Sequence, residues 1–236
     1  MISGAGAAPQ TMILGEIAFL RLLQLASPAL PIGAFAYSQG LEQAALLGWV
    51  QDETSAVHWV AGIVTEVLPR LDLPALAALY GAWSAGDLDR VRLLSQFLHA
   101  CRESAELGAE DRQLGAALAR VLHGLGVADA EPWIVDEDAT FVTLLSLAAV
   151  HFQLPVRGAA LSLLFSWIEN LVAAATRLLP IGHIAAQRML SKVLVLLPAA
   201  ATRGMELPWQ QAGFLAPGLA AASALHETSY CRLFRS

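Results

Sequence analysis

The sequence predicts an all-α protein, folded as a single-domain helical bundle of about nine helices. Of the 236 residues, 56% are hydrophobic and 14% are charged, a composition that builds a sizeable core and is opposite to that of disordered chains. Apolar residues recur at three- and four-residue steps, which is the period of one buried helix face. The alternation of polar and apolar residues that is typical of strands is absent, and residues 193–197 form the one β-branched patch of note.

The first predicted helix contains Ile17, Leu20 and Leu23, which share one helix face. Pro28 ends this helix, because proline lacks the amide N–H and restricts the residue before it. After a rigid loop with a second proline, we predict a second helix over residues 34–47. A glycine follows it, the residue type that best tolerates the left-handed conformation at a helix end.

Further helices are predicted from apolar periodicity and from capping residues such as Asp87. They span residues 52–68, 73–83, 89–100, 102–125, 139–152, 156–179, 184–197 and 219–228. Residues 127–138 hold several acids and a proline and are predicted to form a loop. Because both sides of this loop are equally apolar, we expect one domain over residues 14–236, preceded by a disordered extension over residues 1–13.

Composition also argues against several functions. The formal net charge is -6 and the chain has no run of Lys and Arg, which disfavours nucleic acid as a partner. The charge-free stretches are short or interrupted by prolines and polar residues, so no membrane span is predicted. Cys101 and Cys231 are far apart in the sequence, which suits a reducing cytosol. We therefore expect a cytoplasmic protein.

No catalytic or metal-binding motif is present in the sequence. The six histidines are scattered, and His226 with Cys231 five residues later is only a weak hint of a metal site. No nucleophile elbow, P-loop or dinucleotide fingerprint occurs, and no cofactor is predicted. Acidic residues such as Glu110 and Asp111 lie close to Arg102 in the sequence. We interpret them as a solvated helix face with ion pairs along it.

Polar segments in apolar surroundings are the most unusual feature of the sequence. They are residues 37–42, directly after the double-proline loop, residues 167–170 in a very apolar helix, and the C-terminal residues 226–236. Buried polar groups without partners are unfavourable, so such segments bond within the core or contact a partner. For the C-terminal segment, we favour partner docking over packing on the chain's own core, since aromatic residues and Arg are enriched at interfaces.

These segments resemble the conserved motifs of a known family, the UreF family of urease accessory proteins. The similar segments are residues 22–35 with Gly40-Leu41-Glu42, Glu110-Asp111-Arg112-Gln113, Trp167-Ile168-Glu169-Asn170 with residues 177–182 and 187–188, and residues 226–228 with 232–236. They occur in the family's order over residues 14–236. Leu171 and His183 stand where the family usually has glutamine, and Ala186 stands where glycine is common, which leaves any role of these three side chains in doubt.

The resemblance implies an all-α protein that catalyses nothing itself. It also implies a homodimer that binds the accessory protein UreD, also called UreH, recruits the nickel-carrying GTPase UreG and delivers nickel to apo-urease. Residues 37–42 and 232–236 would contact the UreD-type partner, and residues 167–188 would form the dimer or GTPase surface. The residues implied in partner binding are Tyr37, Ser38, Gln39, Glu42, Glu169, Arg177, Gln187, Tyr230, Arg232, Leu233, Phe234 and Arg235.

Two mechanisms stay open for a protein of this kind. One is a scaffold that aligns the GTPase with urease. The other is an activator or gate in which Arg177 acts on GTP turnover, as an arginine supplied in trans can. We favour a role that combines scaffolding with gating, because Arg177 could instead pair with Glu169 through an intermediate. An all-α enzyme with a small-molecule cavity between its helices is the alternative function.

Overall fold

The structure, a computed structural model, describes residues 15–213 and 216–236, so the extension expected over residues 1–13 lies outside the described residues. Within the described residues the protein is all-helical and contains no strand. The all-α class is thus confirmed, whereas the expected number of about nine helices is too low. The described part of the chain contains eleven α-helices: α1 (Glu16–Ala26), α2 (Leu41–Leu46), α3 (Glu53–Gly62), α4 (Asp72–Ala85), α5 (Leu88–Ala100), α6 (Ala105–Gly124), α7 (Phe141–His151), α8 (Val156–Leu178), α9 (His183–Leu194), α10 (Leu197–Glu206) and α11 (Pro217–His226).

Helix ends follow local capping chemistry where the sequence provides it. At the start of α3, the Asp52 carboxylate accepts a hydrogen bond from the Ser55 N–H at 2.8 Å, and the Ser55 hydroxyl accepts one from the Asp52 N–H. At the start of α5, the Asp87 carboxylate accepts from the Arg90 N–H at 3.1 Å. Gly86 ends α4 in the left-handed conformation. These side chains satisfy amide groups that a helix end leaves unpaired.

The helix predicted over residues 34–47 is broken into two parts. A 3-10 turn covers Ala34–Ala36, and α2 begins only at Leu41. Between them, Gln39 and Gly40 have φ angles of 53° and 74°, values that a right-handed helix does not contain. Gly40 is also close to α11, because a Cβ built on it would lie 3.2 Å from Ala222 Cβ. The break therefore lets α11 approach the chain at this point.

Two other segments differ from the sequence prediction. The helix predicted over residues 184–197 ends at Leu194, and α10 follows with Pro198 in its first turn, where proline is well tolerated. The segment over residues 127–138 is not entirely a loop, because it contains a 3-10 turn over Ala128–Ile134 that buries Trp133. The 3-10 turn packs against α6 and α7.

Two hydrophobic clusters make up the core. The larger one lies among α4, α6, α7 and α8. The smaller one joins α2, α3, α8, α9 and α11 and includes Phe234 near the end of the chain. The α8 helix contributes to both clusters, so it forms the centre of the bundle.

The apolar character of α8 is explained by this central position. Among the described residues, α8 is the single helix that is long and apolar enough by itself to cross a bilayer, and 56% of its most apolar window is buried inside the protein. The α9 and α10 helices satisfy the same criteria only when taken together, and they are bent by 42° at their junction. A buried core helix has the same length and composition as a membrane span, so α8 is weak evidence for a membrane location.

Gly115 on α6 provides a test of this packing. A Cβ at this position would lie 2.7 Å from backbone atoms of Ala139 and Thr140, which cannot move as a flexible side chain can. We expect Gly115→Ala to lower the free energy of unfolding by about 1 to 3 kcal/mol in urea denaturation. The matched control is Gly81→Ala on α4, where a Cβ meets nothing within 4 Å. There, alanine should be neutral or stabilising by up to about 1 kcal/mol, and equal losses for both variants would contradict the packing described.

Candidate functional site

The C-terminal tail, residues 229–236, folds back onto the body of the protein. The Ser38 N–H donates a hydrogen bond to the Ser236 carbonyl at 2.9 Å, and the Ser38 hydroxyl donates to the same oxygen. The Arg235 N–H donates to the Ala36 carbonyl at 2.8 Å. The tail thus lies beside residues 36–42. These residues are the last part of the segment between α1 and α2 and the first residues of α2.

Glu42 on α2 holds the middle of the tail. Its carboxylate accepts hydrogen bonds from the backbone N–H groups of Leu233 at 2.7 Å and Phe234 at 2.9 Å. The Glu42 side chain is only 8% exposed. A buried carboxylate is stable only when it is paired and hydrogen-bonded. The tail N–H groups supply hydrogen bonds to Glu42, and Glu42 is the acceptor that these N–H groups need.

His226, at the end of α11, lies between two carboxylates and is fully buried. Its Nε2 atom is 3.1 Å from Glu42 Oε2, and its Nδ1 atom is 2.7 Å from Glu106 Oε2 on α6. Arg232 of the tail donates to the other oxygen of Glu106 at 2.6 Å. One network of hydrogen bonds therefore connects α2, α6, α11 and the tail.

Glu110 on α6 binds the end of the tail. Its carboxylate accepts from the Ser236 hydroxyl at 2.7 Å and from the Gln39 side-chain amide at 2.8 Å. Burial raises the pKa of Glu110 to about 7, although both of these hydrogen bonds favour the charged form. The hydrogen bond to Glu110 also fixes Gln39, whose positive φ is unusual for a residue other than glycine.

The acidic residues of α6 do not form a solvated face, so that prediction is wrong. Glu110 and Asp111 are buried. The Arg102 side chain is 9% exposed, and its guanidinium lies 2.7 Å from Asp72 and 2.8 Å from Asp111. Asp111 also accepts from the Phe141 N–H, at the start of α7, at 2.9 Å. The sequence spacing of these charges matched an exposed helix, whereas α7, α11 and the tail cover this part of α6.

Arg177 on α8 contacts the tail rather than Glu169. Its guanidinium carbon lies 4.4 Å from the centroid of the Phe234 ring, and its Nη1 atom donates to the Phe35 carbonyl at 3.3 Å. Among the described residues, no ion pair joins Arg177 to Glu169. The cation–π contact adds to the attachment of Phe234.

The structure brings most of the predicted partner-binding residues together, but it divides them into two groups. Tyr37, Ser38, Gln39, Glu42 and Phe234 are buried and hold the tail in place. The exposed group comprises Arg177, Tyr230, Arg232, Leu233 and Arg235. Packing on the chain's own core, the less favoured of the two interpretations, therefore holds for the last residues of the tail. Partner binding by the exposed residues stays a prediction.

Two predicted residues lie away from the tail. Gln187 is exposed on α9, and Glu169 lines a cavity beside α8.

Sequence reasoning missed the part that Glu106, Glu110 and Gln113 play in the site. The Gln113 side chain accepts hydrogen bonds from the Tyr37 hydroxyl at 2.6 Å and from Arg235 at 3.4 Å. Positions 106, 110 and 113 share one helix face, and this spacing was a signal that could have identified them.

The part of the chain that the structure describes contains no arranged metal-binding site. No group of three or more His, Cys, Asp or Glu side chains lies close enough together there to hold a metal ion. His226, which the sequence weakly linked with Cys231, has its two ring nitrogens beside Glu42 and Glu106 instead.

Fold and site together define a class of protein: an all-α domain in which buried carboxylates hold the C-terminal tail at the surface.

Comparison with known proteins assigns the family. The sequence model of the UreF family matches residues 50–194. The chain is 45% identical over 216 residues to the urease accessory protein UreF of Alkalilimnicola ehrlichii, covering 92% of this chain and 95% of that protein. It is 44% identical over 222 residues to the UreF of Marinobacter nauticus, covering 94% and 96%. The chain belongs to the UreF family of urease accessory proteins.

Replacing Glu42 with alanine should release the tail without unfolding the domain. The variant leaves the N–H groups of Leu233 and Phe234 without their acceptor, and hydrogen bonds to charged groups are worth about 1.5 to 3 kcal/mol. We expect these two amides to exchange with deuterium at least about tenfold faster. Glu66→Ala is the control, because Glu66 forms an exposed ion pair with Arg70. Unchanged tail exchange in Glu42→Ala would contradict the role of this carboxylate.

The raised pKa of Glu110 predicts a dependence of stability on pH. The pKa is about 7 in the folded protein and about 4.3 in an unfolded chain, so the folded state binds this proton more tightly. The contribution of Glu110 is therefore fully present below about pH 4 and is lost as the pH rises to about 7. The total loss is on the order of 3 kcal/mol. Urea denaturation of Glu110→Gln at several pH values should show a smaller decline than the wild type.

The control for this experiment is Glu131→Gln, at an exposed acidic position in the turn over Ala128–Ile134. It should retain the decline of the wild type. If Glu110→Gln retains it as well, another group is responsible for the pH dependence.

Proposed function

We propose that this protein is a urease maturation factor, required for nickel insertion, that acts by binding other proteins. In this proposal it binds a UreD/UreH-type accessory protein, recruits a UreG-type GTPase and acts on apo-urease, as a homodimer in the cytoplasm. Membership of the UreF family and similarity to urease accessory proteins of other bacteria support a role in urease maturation.

The observation that carries the proposal is the presentation of apolar side chains by a fixed tail. Tyr230 is fully exposed and Leu233 is 53% exposed, although the backbone N–H of Leu233 is bound by Glu42. Aromatic and aliphatic side chains are common anchors at interfaces. A backbone that is already held in place loses little further conformational entropy when side chains on it bind a partner. We assign the UreD-type partner to this surface.

A second exposed apolar surface lies on α1. Ile17, Leu20 and Leu23 are between 52% and 73% exposed and recur on one side of the helix. Contiguous apolar surface of this kind is typical of sites that bind other proteins. This face and the tail supply two separate surfaces, as a protein that binds several partners requires.

The contacts of Arg177 favour scaffolding over a direct action on GTP. Its guanidinium packs on Phe234 and bonds the Phe35 carbonyl, so it would have to leave the tail to reach a nucleotide on another protein. We therefore assign Arg177 to the tail surface, where it supports the position of Phe234.

A reconstituted activation assay tests this function. Apo-urease is incubated with nickel, GTP and its accessory proteins, with and without this chain, and urease activity is measured. We expect activation to require the chain. The double variant Tyr230→Ala, Leu233→Asp should lower both binding of the UreD-type protein and activation by at least about tenfold, since buried interface anchors contribute 2 kcal/mol or more.

The control is Leu93→Asp on α5, where an equally exposed leucine lies in a different element. It should bind and activate as the wild type does. Full urease activation without the chain would overturn the proposed function. Normal activation by the tail variant would instead overturn only the assignment of the tail surface.

A further inference from the structure

A cavity of about 320 Å³ lies beside α8. Gln39 and Glu110, which bind the end of the tail, form part of its wall. It is enclosed by the C-terminal end of α1, the loop that follows α1, the α6 helix and one side of α8. Most of its wall is apolar, and three aromatic residues contribute to it: Phe35, Phe141 and Trp167. A cavity of this size and composition is large enough for one long side chain.

Glu169 and Asn170 present hydrogen-bond acceptors to the cavity. Glu169 lines the cavity, and none of the described residues donates a hydrogen bond to it; burial raises the pKa of this carboxyl group. Asn170 donates its side-chain amide to the Tyr37 carbonyl at 3.0 Å, so its side-chain oxygen is left as an acceptor. Gln39 donates its amide to Glu110. A ligand with N–H donors and a positive charge matches the acceptors of Glu169 and Asn170.

We propose that this cavity binds an arginine side chain presented by a protein partner. A guanidinium group carries five N–H donors for the Glu169 carboxylate and the Asn170 oxygen. Its flat face stacks well on aromatic rings, which Phe35 and Trp167 provide, and its methylene chain suits the apolar wall. Charge complementarity with Glu169 distinguishes arginine from a purely apolar anchor. The inference extends the proposed function, because it defines a third contact site by the chemistry of its partner residue.

The test uses two probes that differ in charge and hardly in shape. N-acetyl-arginine methylamide is titrated into the full chain and followed by ¹H–¹⁵N NMR, and N-acetyl-citrulline methylamide is the neutral counterpart. We expect saturable shifts of the Trp167 indole and Asn170 side-chain signals. The arginine probe should bind about fivefold more tightly than the citrulline probe, the effect of a partly exposed ion pair.

Two variants locate the binding. Glu169→Gln should weaken binding of the arginine probe about fivefold and leave the citrulline probe unaffected. Ala173→Trp fills the cavity from an exposed position of α8 that lines it, and it should weaken both probes. Glu131→Gln is the control and should change neither. Retained ¹H–¹⁵N spectra of the rest of the chain would show that each variant is folded.

Three results would overturn the inference: equal affinities of the two probes, shifts confined to residues outside the cavity, or no saturable shift up to the solubility of the probes. None of these results concerns the urease activation assay. A chain that fails to bind arginine but activates urease would refute the cavity site alone. A chain that binds arginine but has no effect on urease would refute the proposed function alone.

Discussion

The attachment of the tail by three carboxylates, two of them buried and the third largely so, is the interaction on which the rest of the site depends. Glu42, Glu106 and Glu110 lie on two different helices, and each accepts a hydrogen bond from the tail. Carboxylates away from water need partners, and the tail N–H groups, Arg232 and the Ser236 hydroxyl provide them. The backbone of the tail is consequently held in place around residues 232–236, even though the tail itself has no regular secondary structure. The local fold of residues 36–42 serves the same attachment.

Most of the helices could be predicted from the sequence because their causes are local. Apolar periodicity, proline positions and the capping residue Asp87 act over a few residues, and the structure follows them. The division between α1 and α2 could not be predicted in this way. It depends on a left-handed Gln39 that is bonded to Glu110, 71 residues away, and on the approach of α11 to Gly40. The break before α10 has a local cause instead, because Pro198 lacks the N–H that would bond the Leu194 carbonyl.

The sequence indicated which segments form the candidate site better than it indicated what the residues of those segments do. The polar segment over residues 37–42 and the tail were both identified as unusual, and the structure joins them. Their burial could not be foreseen, because a carboxylate such as Glu110 has the same sequence signature whether it faces water or a buried tail. Tertiary structure decides between the two: α7, α11 and the tail cover α6 at this point, and the charges that sequence spacing placed in solvent bond within the protein.

The apolar face of α1 has a practical consequence for handling this protein. Ile17, Leu20 and Leu23 remain in contact with water when the chain is alone, as do Tyr230 and Leu233. Such surfaces associate with one another as concentration rises, and the modest net charge of -6 supplies little repulsion for a chain of this size. We therefore expect colloidal stability, rather than folding, to limit how far the isolated chain can be concentrated. A partner that covers these faces, as the proposed function requires, would remove that limit.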